Sequence, residues 1–74
     1  MSKTYETEQV AQIQNIKRGE YVKRLNADGT AQSKVYTRSY YDAESQRYAL
    51  DDVEDTSRQV FVRKGTRLLV GFTY

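Results

Sequence analysis

The 74-residue chain contains no cysteine, no histidine, no tryptophan and no proline. Each absence closes a route. Without cysteine there is no disulfide framework, no redox pair, no thiol nucleophile and no thiolate zinc site. Without histidine the usual general base and the commonest transition-metal ligand are both missing, and a serine triad cannot be assembled. Carboxylates, lysine, tyrosine and arginine remain, and they form no pattern that positions a substrate. The expectation is a non-enzymatic protein with no cofactor and no metal. No run of 18 apolar residues is present, so no membrane span is expected. Met1 to Glu8 has no charged-then-apolar leader pattern, which makes the cytoplasm the expected compartment.

Length allows one small domain with a thin core, because a chain this short buries only about 60% of its unfolded surface. Within that limit the chain is rich in tyrosine, with seven against two phenylalanines. Tyrosine pairs a wide apolar ring with a polar tip and suits a half-buried sheet. Aromatic and β-branched residues are enriched after residue 34, which points to strands.

Residues 1–12 read as a flexible N-terminal tail, with a short helical or extended piece within 7–13, and 13–74 read as the single β domain. Lys17-Arg18-Gly19-Glu20 reads as a tight bend, since glycine tolerates positive φ. An apolar residue, a basic pair, glycine, an acid and then a strand resembles the start of SH3-like barrels. A strand is expected over Glu20–Leu25, followed by a turn at Asn26-Ala27-Asp28-Gly29-Thr30. That turn has some likeness to a calcium loop. Placing Gly29 at the loop's sixth position puts Arg24 and Val35 at its first and last ligands, so it cannot chelate. Lys34–Tyr41 alternates as a strand with Tyr36, Arg38 and Tyr40 on one face and Val35, Thr37, Ser39 and Tyr41 on the other. Asp42-Ala43-Glu44-Ser45 is expected to turn, with the Asp42 carboxylate accepting a backbone hydrogen bond, and Gln46–Leu50 to return antiparallel.

The segment 51–57 is too acidic for a strand and is expected to form a short helical or 3-10 turn. Beyond it, Gln59–Arg63 and Arg67–Phe72 flank Lys64-Gly65-Thr66. A three-residue hairpin pairing Val62 with Leu68 and Val60 with Val70 keeps the valines on one face. That register sets Arg63 against Arg67. The expected fold is therefore all-β: an SH3-like or open β-barrel of four to six short antiparallel strands.

Charge is unevenly distributed. The formal net is +2 overall, made of +4 over residues 16–41, −5 over 42–57 and +4 over 58–74, with the first fifteen residues at −1. Three features have functional potential. The Tyr36, Arg38 and Tyr40 stripe is suited to stacking bases and holding phosphates of single-stranded nucleic acid, although the same rings also suit covering a sheet. The basic loops, with Lys17 and Arg18 at the first bend and Arg63, Lys64 and Arg67 at the last, are suited to phosphate contact, or simply to solvation and blunted sheet edges. The acids Asp51, Asp52, Glu54 and Asp55 are suited in principle to holding Mg2+ or Ca2+ or to docking a basic protein partner, or they act only as helix-start acids that aid solubility. Leu69 and Phe72 belong to an apolar C-terminal strand, which is either central or an edge awaiting a protein partner or a second copy. The expected function is a small binding or regulatory module acting on a protein partner through surface charge and that apolar edge. A nucleic-acid-binding barrel using the Tyr/Arg stripe and basic loops is the alternative.

Overall fold

Short runs of alternating apolar and polar residues, separated by glycine, aspartate and asparagine, produce short strands joined by tight turns. The computed structural model describes Tyr5 and residues 7–74. Its elements are β1 (Gln9–Gln12), a 3-10 turn (Ile13–Asn15), β2 (Tyr21–Leu25), β3 (Ala31–Asp42), β4 (Arg47–Asp52), β5 (Gln59–Arg63) and β6 (Arg67–Val70). All six strands form one antiparallel sheet in the order β1-β6-β2-β3-β4-β5. The two end strands do not pair with each other, so the sheet is open. Among the described residues no helix is long and apolar enough to cross a membrane.

The first two turns form where expected. Gly19 and Gly29 both adopt left-handed φ, 91° and 90°. In the β2–β3 turn the Asp28 carboxylate accepts from the Thr30 amide (3.0 Å) and hydroxyl, and Asn26 closes the loop through its amide bond to the Thr30 carbonyl (2.7 Å). At the β3–β4 turn Asp42 accepts from the Glu44 amide at 3.1 Å, the role assigned to it from sequence.

The last turn forms too, but the hairpin expected around it does not. Thr66 N–H donates to the Arg63 carbonyl (3.1 Å), yet among the described residues β5 pairs only with β4, while β6 lies between β1 and β2. Val62 therefore faces Tyr48, and Val70 faces Gln9. Lying between two strands satisfies both edges of β6, where a hairpin with β5 would satisfy one. The turn itself is held from outside. Ile13 N–H donates to the Thr66 carbonyl (2.9 Å), and the Gln14 side chain accepts from Gly65 N–H (2.9 Å).

Because Lys64-Gly65-Thr66 joins a strand at one end of the sheet to one near the other, the sheet is strongly curled. The four peptide steps from Arg63 to Arg67 span at most ~14 Å. Curling brings Val62, Leu68 and Val70 into one cluster with Val22, Tyr36 and Leu50, so they meet through side chains rather than across a ladder. Ile13 and Ile16, on the segment between β1 and β2, fill the same cluster.

One further expectation is corrected. The acidic segment makes no helical turn: Asp51 and Asp52 end β4, and residues 53–58 form an irregular turn. Asp52 accepts from the Glu54 amide (2.9 Å) and Asp55 from the Ser57 amide (3.1 Å), so carboxylates take up the backbone donors that a helix would otherwise use. The 3-10 turn lies instead at Ile13–Asn15. Of the expected N-terminal tail, residues 1–4 and 6 lie outside the described residues, while Gln9–Gln12 form β1 along β6. The C-terminal strand is thus interior, not an edge.

Gly71 redirects the chain after β6, with φ of 79°, and a Cβ there would overlap the Thr7 carbonyl. We expect Gly71→Ala to destabilise the fold by more than the ~1–2 kcal/mol of left-handed strain alone. Leu68→Ala, at a fully buried position, should cost ~2–5 kcal/mol. Denaturant melts of the two variants measure both, and a Gly71→Ala midpoint equal to wild type would contradict the packing of Thr7 against β6.

Candidate nucleic-acid interface on the outer sheet face

Residues directly opposite each other on neighbouring strands share a face, so the register sorts the side chains. The inner face has Val22, Tyr36 and Asp52 in one row and Arg38, Leu50 and Val60 in another. The outer face has Ala49 opposite Phe61, Arg47 opposite Arg63, and Asp51 opposite Gln59.

This sorting breaks up the expected tyrosine–arginine stripe. Tyr36 is only 6% exposed and belongs to the core. Arg38 lies at the core margin, its guanidinium 4.8 Å from the centre of the Tyr48 ring and donating to the Ser39 carbonyl at 2.8 Å. Tyr40 is on the opposite face, edge-on to Phe61 at 6.2 Å between ring centres. The cause is a β-bulge. Between Arg38 and Tyr41 the register against β4 shifts, and one extra residue reverses the alternation. Strict period-two reading cannot anticipate such an insertion.

A different constellation forms on the outer face of β3, β4 and β5. Tyr40 and Phe61, 39% and 37% exposed, flank the fully buried Ala49. One strand step along, Arg47 and Arg63 stand directly opposite each other, followed by Lys64 at the turn. Ser45, Gln46, Arg47, Arg63 and Lys64 line a shallow concavity of about 390 Å3. Phe61 and Arg47 share a second one with Asp42 and Ser45. Gln46 takes a left-handed conformation there (φ 57°). No ion pair engages Arg47, Arg63 or Lys64 among the described residues. Like charges set directly opposite oppose folding by a few tenths of a kcal/mol to ~1.

The remaining basic residues are dispersed. Lys17 and Arg18 are exposed on a bend fastened to β3, where Gly19 N–H donates to the Arg38 carbonyl at 2.7 Å. Arg67, expected opposite Arg63, faces Gln12 and lines a separate hollow with Val10 and Ala11. Arg47 escapes a reading of the sequence because it stands alone among acids, and only the register shows that it meets Arg63. Sequence pattern places Phe61 on the correct face of β5, but its exposure depends on β5 being an edge.

The acids serve the fold. Asp52 is 2% exposed and pairs with Lys34 at 3.0 Å. Asp51 accepts from the Gln59 side-chain amide at 2.7 Å, and exposed Asp55 lies 3.4 Å from Arg58. Glu54 is exposed. Among the described residues no group of three or more carboxylates could hold a metal ion. Leu69 is half-buried opposite Lys23 and Val10, and Phe72 is buried beneath the Lys23 ammonium, 4.7 Å from the ring centre. With Tyr74 against Tyr21 (4.8 Å), the C-terminal segment lies against β2. Comparison of the chain with protein-family models, with curated proteins and with solved structures finds no match.

The Glu54 amide and the Lys34 ammonium hold the Asp52 carboxyl below its ordinary value of 3.8, and Asp52 in turn raises Lys34 above 10.5. Between its lowered native value and 3.8, Asp52 binds more protons in the unfolded chain, so its contribution is complete above that window and lost as pH falls through it. The Lys34 contribution is complete below 10.5 and lost as pH rises through the raised value. Chemical denaturation followed from neutral pH into acid should show stability falling below pH ~4. Asp52→Asn should flatten that fall, and an unchanged acid limb would remove Asp52 from its cause.

Proposed function

We propose that this chain is a non-enzymatic binding module that holds single-stranded nucleic acid on the outer face of β3, β4 and β5. One observation carries the reading: the exposed Tyr40–Phe61 pair and the unpaired Arg47, Arg63 and Lys64 lie in succession on one face. Aromatic faces stack bases without regard to sequence, and neighbouring cations track the phosphates. The spacing is appropriate, since two residues along a strand advance ~6.6 Å, about one extended nucleotide step. The curl of the sheet and the Lys64-Gly65-Thr66 corner support an incompletely closed SH3-like barrel as the scaffold. The basic overall charge, with a pI near 9.0, favours encounter with a polyanion.

A module acting on a protein partner is the second reading, favoured by the unpaired outer edge of β5. The C-terminal strand is not available for that role, because β1 and β2 occupy both its edges.

Titration of a fluorescent oligothymidylate at low salt tests the proposal. Binding should weaken steeply with added salt, and Arg47→Gln should lower the log–log salt slope by about one counterion. Tyr40→Ala and Phe61→Ala should each cost ~1–3 kcal/mol of binding if a base stacks there. Tyr36→Ala should instead reduce stability. Absence of binding at low salt, or binding indifferent to all three outer-face substitutions, would overturn the assignment.

A further inference from the structure

The outer edge of β5, unpaired among the described residues, carries a pattern that fits itself. Asp52 N–H donates to the Arg58 carbonyl at 3.2 Å. Antiparallel ladders alternate, so the backbone groups of Val60 and Val62 also point to β4, while those of Gln59 and Phe61 and the Arg63 N–H point outward. No bulge interrupts the β4–β5 register, and the chain has no proline to blunt the edge. Along the adjoining outer face the order is Arg47 with Arg63, then Ala49 with Phe61, then Asp51 with Gln59. One end is basic, the centre aromatic and the other end acidic.

We infer that β5 pairs antiparallel with β5 of a second copy about a two-fold axis at Phe61, joining two six-stranded sheets into one. A two-fold interface requires a surface complementary to itself, and this order supplies it. Phe61 N–H and C=O exchange bonds with Phe61 of the second copy, and Arg63 N–H meets the Gln59 carbonyl. Rotation places Arg63 opposite Gln59, whose side-chain amide already bonds the Asp51 carboxylate. Each Arg63, which has Asp42 beyond Arg47 on one side of its row, thereby gains a second acid beyond Gln59 on the other. The same rotation sets the two Phe61 rings side by side, so four aromatic rings form a central platform with Arg47 and Lys64 at either end. The other free edge, β1, presents Gln9-Val10-Ala11-Gln12 and has no charge to direct pairing.

Because the chain lacks cysteine, single substitutions report the interface directly. The two residues of a hydrogen-bonded antiparallel pair lie about 5.5 Å apart at Cα, within disulfide reach. Under mild oxidation Phe61→Cys should cross-link to a covalent dimer, while Val10→Cys on β1 should stay monomeric. In sedimentation equilibrium the wild-type chain should show reversible monomer–dimer exchange. Gln59→Arg, an exposed change that sets a second guanidinium against Arg63 twice per dimer, should weaken association by roughly tenfold. Adding Arg63→Glu should restore it. A wild-type chain that stays monomeric throughout, or preferential cross-linking through Val10→Cys, would overturn the inference. These measurements use no oligonucleotide. A monomer that binds oligothymidylate removes only the dimer, and a dimer that ignores it removes only the nucleic-acid reading.

Discussion

Six strands in a single sheet leave an apolar inner face with no second layer to cover it, and the sheet resolves this by rolling over onto itself. The three-residue turn between β5 and β6 enforces the roll. It ties the last strand in the sheet order to the second, and so brings Val62 towards Leu68 and Val70 although no ladder joins them. A rolled sheet that does not close leaves a gap, which Ile13 and Ile16 fill from the segment between β1 and β2. That segment is fastened at both ends, by Ile13 and Gln14 to the β5–β6 turn and by Gly19 to β3. With net stability on the order of 4–11 kcal/mol for a chain this long, a residue such as Leu68 represents a large share of the whole.

The roll also decides which side chains are available outside. The bulge after Arg38 returns Tyr41 to the face of Arg38, where its ring meets Tyr48 at 4.6 Å beyond the core and stays exposed, and turns Tyr40 to the opposite face. The inner face thus retains one aromatic residue of a tyrosine doublet and the outer face gains the other. Over β2 and β6 the outer face is covered by the chain itself, with Phe72 under Lys23 and Tyr74 on Tyr21. Over β4 and β5 it stays bare. The candidate surface lies where the C-terminal segment does not reach.

What was legible in the sequence was local. Asp42 bonding back to its own turn, Gly29 at positive φ and the limits of Gln59–Arg63 follow from interactions within a few residues. An extended piece is one of the options expected within 7–13, but its pairing with β6 was not legible, because nothing in Gln9–Gln12 itself marks the strand it covers. The acidic segment departs from expectation for a related reason. Dipole arguments favour carboxylates at a helix start, but Asp52 has a stronger commitment to Lys34 across the sheet and to its own turn. The candidate site was half legible: Arg63 and Lys64 stood out as cations, whereas Arg47 and Phe61 acquire meaning only through partners on other strands.

The opposition of Arg47 and Arg63 connects these threads. Like charges across a strand pair oppose folding, and a small domain has little stability to offset them. Acids are near in sequence, yet Asp42 is occupied by Glu44 and Ser45, and Asp51 by Gln59. The fold thus directs its neighbouring carboxylates into turns and ladder positions and leaves two guanidinium groups side by side on an exposed face. Asp42, directly opposite Arg47 on β3, relieves part of this within the protomer, and a phosphate or the carboxylate of another copy would relieve the rest. Both sources share one electrostatic logic and differ in geometry. A phosphate would bridge Arg47, Arg63 and Lys64 at one end of a single sheet, whereas a second copy would draw Arg63 across a strand edge towards Gln59 and Asp51. Since Arg47 and Lys64 lie away from that edge pairing, the two arrangements are compatible. A dimer joined through β5 would neutralise one cation of each cluster and leave the other two facing solvent beside the aromatic platform.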